Sequence, residues 1–338
     1  MGHRLRTPLC STLGIDIPII QAPIGSATTP ELAAAVANAG ALGMLALTWL
    51  SLDALEDRIA RTRRLTDRPF GINFVLAFPI DDKLAHCLDL GVDVVSTAWG
   101  DPRSVRSRIS GAGALHMHVA GSVDEAKHAA DCGVDVIVAQ GWEAGGHVTG
   151  TTASLPLIPA VVDAVNPKPV VAAGGIADGR GLAAVLVLGA QAAWMGTRFL
   201  TAEEAFTHDV YRQRVIAADP DSAAYTLAFD GGWAGAPHRA LVNTTMTEWE
   251  RAGRPRAPHR PGEGNVIATD AHGGTHLRYD DLMPLPGMDG DLDAMALYAG
   301  QSAGLVRDVR PAAAIVREIA DGAERALATM TRLPDAAG

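Results

Sequence analysis

What this chain lacks narrows its function before any motif is considered. No apolar run approaches the roughly 18 residues needed to cross a bilayer, so no membrane partner is expected. The 28 Lys and Arg are outnumbered by 38 Asp and Glu, giving a net charge of −10. No basic cluster is dense enough to track a phosphate backbone, so no nucleic-acid partner is expected. The densest basic stretch, Arg251 to Arg260, is broken by Pro255 and Pro258 and reads as a solvated loop. Cysteine is scarce. Cys10, Cys87 and Cys132 are odd in number and show no metal-ligand spacing, which fits a reducing cytoplasm rather than a disulfide scaffold. No apolar core follows the basic residues at the N-terminus, so no signal peptide is expected. Missing too is a Gly-x-Gly-x-x-Gly turn after the first strand. That disfavours a dinucleotide-binding doubly wound sheet, the structural alternative.

What is present is a repeated unit. An Ala-rich amphipathic helix stops at a Gly, and an apolar strand follows almost at once. Ala39-Gly40-Ala41-Leu42, Leu90-Gly91-Val92, Ala112-Gly113-Ala114, Cys132-Gly133-Val134 and Leu188-Gly189-Ala190 are examples. The Gly supplies the left-handed position that ends a helix. Eight strands are expected near 17–21, 42–47, 70–75, 92–97, 114–119, 134–139, 169–173 and 192–195. They are nearly all apolar, as in a parallel sheet covered by helices. Thr29 before Pro30 and the capping box Ser122 to Glu125 mark two helix starts. Eight β/α units point to a (β/α)₈ barrel, the TIM fold. The pattern breaks after about Glu203. Residues 204–290 hold most of the remaining aromatics and read as an insertion or lid over the mouth. Helical pattern returns at 292–305 and 312–330, so the barrel is expected to comprise 1–203 and 291–338.

In such a barrel the chemistry sits where strands end. Gln140-Gly141-Trp142-Glu143-Ala144-Gly145-Gly146-His147 ends strand six, and its glycines let backbone approach a ligand closely. His147, at the tip, is the candidate catalytic base, because an imidazole accepts protons near neutrality. Ala173-Gly174-Gly175 after strand seven and Gly196-Thr197 after strand eight present backbone N–H groups to a phosphate. Gln21 to Gly25 and Ser96-Thr97 end strands one and four, Asn73 lies in strand three, and His118 ends strand five, as a site residue or as a buried, hydrogen-bonded core His. Glu143 reads as solvated. His272 and His276 are spaced i,i+4, but Gly273-Gly274 between them argues against a helical metal pair. Met44, Met117 and Met195 read as core filler.

These segments, with Ala177-Asp178-Gly179-Arg180, Arg198-Phe199-Leu200 and Tyr298-Ala299-Gly300-Gln301-Ser302, resemble the nitronate monooxygenase family, once called 2-nitropropane dioxygenases. The likeness spans nearly the whole chain and is weakest in 204–290. It implies FMN, held without covalent attachment or metal. Gly174, Gly175, Gly196 and Thr197 would hold the phosphate. Ala22, Pro23 and Ile24 would line the ring system, and Asn73, Gln140, Gly145, Gly146, Ala173 and Gln301 would complete the flavin site. His147 matches the family's catalytic His. Ile24 replaces a common Met of similar volume. His118 stands where some members have Lys, and would make stabilisation of reduced flavin pH-dependent. The implied reaction is oxidative denitrification of an alkyl nitronate, or of a nitroalkane after His147 removes its α-proton. Dioxygen is consumed, and a carbonyl compound and nitrite leave.

Three alternatives stay open. One keeps FMN but reduces quinones or enoyl thioesters with NAD(P)H, using Arg251, Arg254 and Arg256 of the lid. Another is a binding or regulatory protein on the same fold. The third is a flavin-free phosphate-binding barrel. Oligomeric state is open, a homodimer being one option.

Overall fold

The eight apolar runs pair as one parallel sheet that closes on itself. The structure is a computed structural model and describes residues 5–330. In chain order the first nine strands are β1 (Ile19–Gln21), β2 (Gly43–Ala46), β3 (Phe70–Val75), β4 (Val94–Ala98), β5 (Leu115–Ala120), β6 (Val136–Gln140), β7 (Gly146–His147), β8 (Val170–Ala173) and β9 (Ala192–Met195). All but β7 join one sheet in the order β1-β9-β8-β6-β5-β4-β3-β2. A parallel bridge from Ile20 to Leu42 joins the two ends. Buried Gln21 reinforces that seam, since its Oε1 accepts from the Met44 N–H at 3.0 Å. The fold is the (β/α)₈ barrel that the repeated unit implied.

Each helix-stopping Gly adopts the left-handed conformation, with φ of +91° at Gly40, +71° at Gly91, +75° at Gly113, +83° at Gly133 and +95° at Gly189. The residue after each bonds back to the helix. Ala41 N–H reaches Val36 O, Val92 reaches Cys87, Ala114 reaches Ile109, Val134 reaches Ala129 and Ala190 reaches Val185. Those first apolar residues therefore finish the cap rather than start a strand, so the middle strands begin later than the hydrophobic runs do. Thr29 caps its helix by accepting from Leu32 N–H. Ser122 accepts from Glu125 N–H, but Glu125 reaches back to the Gly121 N–H rather than to Ser122.

Side chains alternate between two cores. Ile20, Met44, Val94, Met117, Val136, Val138, Val171, Ala192 and Trp194 fill the barrel, together with Leu9, Cys10, Leu13 and Ile15 from the helix Pro8–Leu13 and the turn after it. Gly71 makes room there, because a Cβ on it would lie 2.5 Å from Met44 Sδ. The intervening residues, such as Leu45, Ile72, Phe74 and Val95, pack outward under the helices. Met195 faces outward as well, and all three named methionines are buried.

Beyond Glu203 come β10 (Ala223–Thr226), β11 (His238–Leu241), β12 (Val266–Thr269), β13 (Thr275–Leu277) and β14 (Asp289–Gly290). β10, β11 and β7 form one antiparallel sheet, and β13, β12 and β14 another. The stretch 292–305 is not one helix. Two short 3₁₀ turns, Leu292–Ala294 and Gln301–Leu305, flank extended backbone, and Tyr298 bridges to Ala240. The closing helix runs Ala312–Met330. Among the described residues no helix is long and apolar enough to cross a membrane.

Candidate active site

A cavity of about 520 Å³ opens at the C-terminal ends of the barrel strands. Ala22, Pro23, Ile24, Asn73, Gln140, Gly145, Gly146, His147, Ala173, Gly174, Gly175, Gly196 and Thr197 all line it. Two expected residues do not. His118 faces away from the barrel, because on β5 the inward positions are Leu115, Met117 and Val119, and Val119 is the one at the cavity. The His118 Nδ1 instead lies 2.7 Å from Thr97 Oγ1, which is shared at 2.7 Å with His116 Nε2. Burial drives His118 down to about 4, so it carries no charge at neutral pH. Gln301 also stands outside the lining, where Ser302 takes part instead. Gln301 helps through its backbone N–H, which donates to Glu143 O at 3.0 Å.

Glu143 is not simply solvated. The helix Ser154–Val165 has Ala153 at its N-cap, which offers no acceptor. The Glu143 carboxylate takes that place, accepting from Ser154 N–H at 3.0 and 3.1 Å. A negative charge is favourable at a helix N-terminus. The same side chain lies along Gly175, where an added Cβ would meet Glu143 Cγ at 3.1 Å. Gly174 and Gly175 have φ of +97° and +74°, so this turn is built for residues without a side chain. Thr197 Oγ1 accepts from Gly300 N–H at 3.0 Å and keeps its own proton to donate.

The segment after Glu203 positions the imidazole. β11 pairs with β7 so that His238 opposes His147 and Arg239 opposes Gly146. Arg239 is fully buried. It donates to Trp142 O at 2.9 Å and Ala223 O at 3.1 Å, and its guanidinium lies 4.5 Å from the Trp142 ring centre. This clamp ties the glycine loop to the antiparallel sheet. Gln140 Nε2 donates to His147 O at 3.1 Å. The His147 ring stacks on Trp233, with centres 4.2 Å apart, and meets Trp99 edge-on at 6.0 Å.

Asp281, which no local sequence signal marked, and Tyr298, which stood only at the head of a family-like segment, complete this corner. Asp281 Oδ2 lies 3.7 Å from His147 Nε2. Tyr298 OH donates to Asp281 Oδ1, and Tyr211 OH donates to the Tyr298 carbonyl. Burial pushes the Asp281 carboxyl up to about 6, against the opposing pull of the Tyr298 hydrogen bond. Burial drives His147 down to about 3, and nearby His238 adds to this. The Asp281 carboxylate acts in the other direction at 3.7 Å, but desolvation dominates and the imidazole is neutral at pH 7. Buried His147 Nε2 and Gln140 Oε1 have no hydrogen-bond partner in the protein. Orphaned buried polar atoms are uncommon, and two on one cavity wall suit a ligand-binding face.

An aromatic wall also went unmarked. Trp49, Phe78 and Trp99 follow β2, β3 and β4 by a few residues and join Trp233 in an edge-to-face chain, with ring centres 5.5, 5.1 and 4.9 Å apart. Their places near strand ends were the available signal. Trp99 holds φ of +59°, a costly conformation for a bulky residue. Arg251, Arg254 and Arg256 are exposed and do not line the cavity. His272 and His276 sit on the β12–β13 hairpin, whose turn Asp270 holds by accepting from His272 and Gly274 N–H.

Comparison with known proteins agrees with this geometry. The family model described as nitronate monooxygenase matches residues 6–81 and 74–322. The chain is 38% identical over 256 residues to a (3aS,4S,5R,7aS)-5-hydroxy-7a-methyl-1-oxo-octahydro-1H-indene-4-carboxyl-CoA dehydrogenase of Mycobacterium tuberculosis, covering 75% of this chain and 71% of that one. It is 33% identical over 287 residues to a probable nitronate monooxygenase of Staphylococcus saprophyticus, covering 71% and 79%. Among solved structures, FabK from Thermotoga maritima superposes with a TM-score of 0.79 at 30% identity, covering 96% and 98% of the two chains. A nitroalkane oxidase from Streptomyces ansochromogenes superposes with 0.77 at 33%, covering 95% and 99%. The chain belongs to the nitronate monooxygenase family of flavin-dependent oxidoreductases.

Proposed function

We propose that this protein binds FMN and oxidises nitroalkanes by way of their nitronates, consuming dioxygen and releasing a carbonyl compound and nitrite. The carrying observation is a neutral imidazole stacked on Trp233, with no hydrogen-bond partner at Nε2 and 3.7 Å from a largely buried carboxylate. A neutral base suits an uncharged carbon acid better than a preformed anion, which the Asp281 carboxylate would repel.

The residues present fit FMN. The side-chain-free turn at Gly174 and Gly175, with Gly196 and Thr197, offers backbone N–H groups and a hydroxyl to a phosphate. The orphaned Gln140 Oε1 is a buried acceptor with no partner in the protein, on a residue of the cavity wall. About 520 Å³ lies within the usual range for cofactor and ligand sites. When bound, the flavin supplies the electron acceptor and the route to dioxygen. His147 Nε2 takes the α-proton. Asp281 stabilises the imidazolium that forms, and Tyr298 holds Asp281 in place. Trp233 fixes the imidazole plane, and the aromatic wall keeps water out.

The likeness to the M. tuberculosis CoA dehydrogenase supports a second reading, in which the same base acts α to a thioester carbonyl. Against it, no Lys or Arg lines the cavity. Aerobic turnover of nitroethane by the yellow holoenzyme, followed as oxygen uptake and nitrite release, tests the proposal. Flavin bleached by NADH alone, with no nitrite formed from nitroethane, would overturn it.

A further inference from the structure

A second cluster of reactive side chains lies outside the barrel mouth. Asp101 follows β4. His128 lies on the helix Val123–Asp131, and Cys132 is that helix's C-cap. His128 Nε2 is 3.0 Å from Asp101 Oδ1, Cys132 Sγ is 3.6 Å from His128 Nε2, and Cys132 Sγ is 3.8 Å from Asp101 Oδ1. We propose that these three side chains form a Zn²⁺ site.

Geometry carries the argument. Bonds of about 2.0–2.2 Å to N and O and about 2.3 Å to S, in a tetrahedron, put ligand atoms roughly 3.3–3.6 Å apart. The three observed separations bracket that range, so a cation could be seated with small side-chain rotations. Cys132 follows His128 by one helical turn, which sets its thiol beside the Asp101–His128 pair as a third donor. The donor set is one sulfur, one imidazole nitrogen and one carboxylate oxygen. That set suits Zn²⁺ and disfavours Mg²⁺ or Ca²⁺, which take oxygen alone. Asp101 is oriented by a second contact, since its Oδ1 also accepts from Arg103 N–H at 3.0 Å. All three residues reach solvent, so water can complete the tetrahedron.

Sequence spacing hid this site. His128 and Cys132 are separated by one helical turn, but the third ligand comes from the preceding β/α unit, brought alongside by the pairing of β4 with β5. The cation would tie the loop after β4 to the next helix. Trp99, two residues before Asp101, lines the catalytic cavity, so bound metal would stiffen the backbone that carries part of the aromatic wall.

The test uses tag-free, full-length, flavin-loaded protein, treated with chelator and then titrated with Co²⁺ as a spectroscopic probe. One Co²⁺ per chain is expected, with a thiolate-to-cobalt band in the difference spectrum. Zn²⁺ should displace it and raise the melting temperature, as any ligand selective for the folded state does. Cys132→Ser should abolish the band, and His128→Gln should weaken Zn²⁺ at least tenfold in competition with a chromogenic chelator. Absence of stoichiometric Co²⁺ binding would overturn the proposal, and so would Zn²⁺ affinity unchanged in both surface variants.

Discussion

Replacing Asp281 with Asn should make the protein more stable and less active. The carboxyl is pushed from its ordinary 3.8 up to about 6 by burial. About two units at ~1.4 kcal/mol each gives about 3 kcal/mol. The folded-state value is raised, so the folded protein holds the proton more tightly than the unfolded chain. Below about pH 4 the neutral carboxyl costs nothing. As pH rises from about 4 to 6 the folded state resists ionisation, and the stability is lost through that window and stays lost above it. Asn cannot ionise but keeps an acceptor for the Tyr298 hydroxyl. Denaturant unfolding should therefore show the variant ahead by up to about 3 kcal/mol at pH 8 and level with the parent near pH 4. Activity should move the other way. At 3.7 Å and an effective dielectric constant near 20, a carboxylate stabilises an imidazolium by about 4 kcal/mol at most. A fall in kcat/KM with nitroethane of about 10²–10³-fold is expected at pH 8. The parent should lose activity below about pH 6 as Asp281 is protonated, and the variant should lack that limb. A variant no more stable than the parent at pH 8 would refute the claim that Asp281 is ionised against its surroundings. Unchanged turnover would remove it from the site.

The other predictions concern neighbouring parts of the same cavity. His147→Ala should stay yellow but lose about 10²–10⁴ in kcat/KM with a neutral nitroalkane, and much less with the preformed nitronate; equal losses on both would show that the imidazole is not the base. Gly175→Asp should purify without flavin absorbance, since its Cβ meets Glu143 at a φ of +74° and its carboxylate would face the phosphate. Trp233→Ala removes the ring stacked on His147. A stacked pair is worth about 1 kcal/mol, so kcat/KM should drop roughly fivefold, and a parent-like value would show that the imidazole plane is set elsewhere.

What could be read from the sequence follows from how far each signal reaches along the chain. A Gly that stops a helix and the apolar run after it are neighbours, so all eight barrel strands were legible; cap bonds delay several of their starts, and no strand end shifts by more than one residue. The glycine turn at Gly174-Gly175 and the Gly196-Thr197 step, both on the cavity wall, are equally local signals. The error at His118 is also a local one. A strand has period two, and Met117 and Val119 belong to the barrel interior, so the residue between them faces outward. Counting parity along 115–119 from Met117 would have placed Val119, not His118, at the cavity. No such count reaches Asp281 or Trp233, because nothing in 204–290 repeats the β/α unit. Their position depends on β11 pairing with a two-residue strand and on Arg239 capturing the Trp142 carbonyl. Asp281 and Trp233, which stand beside His147, thus come from the segment whose sequence carries no periodic signal. Selectivity between a nitroalkane and a larger carbon acid should follow that segment. Exchanging residues around Trp233 and Asp281 should change the preferred substrate without releasing the flavin.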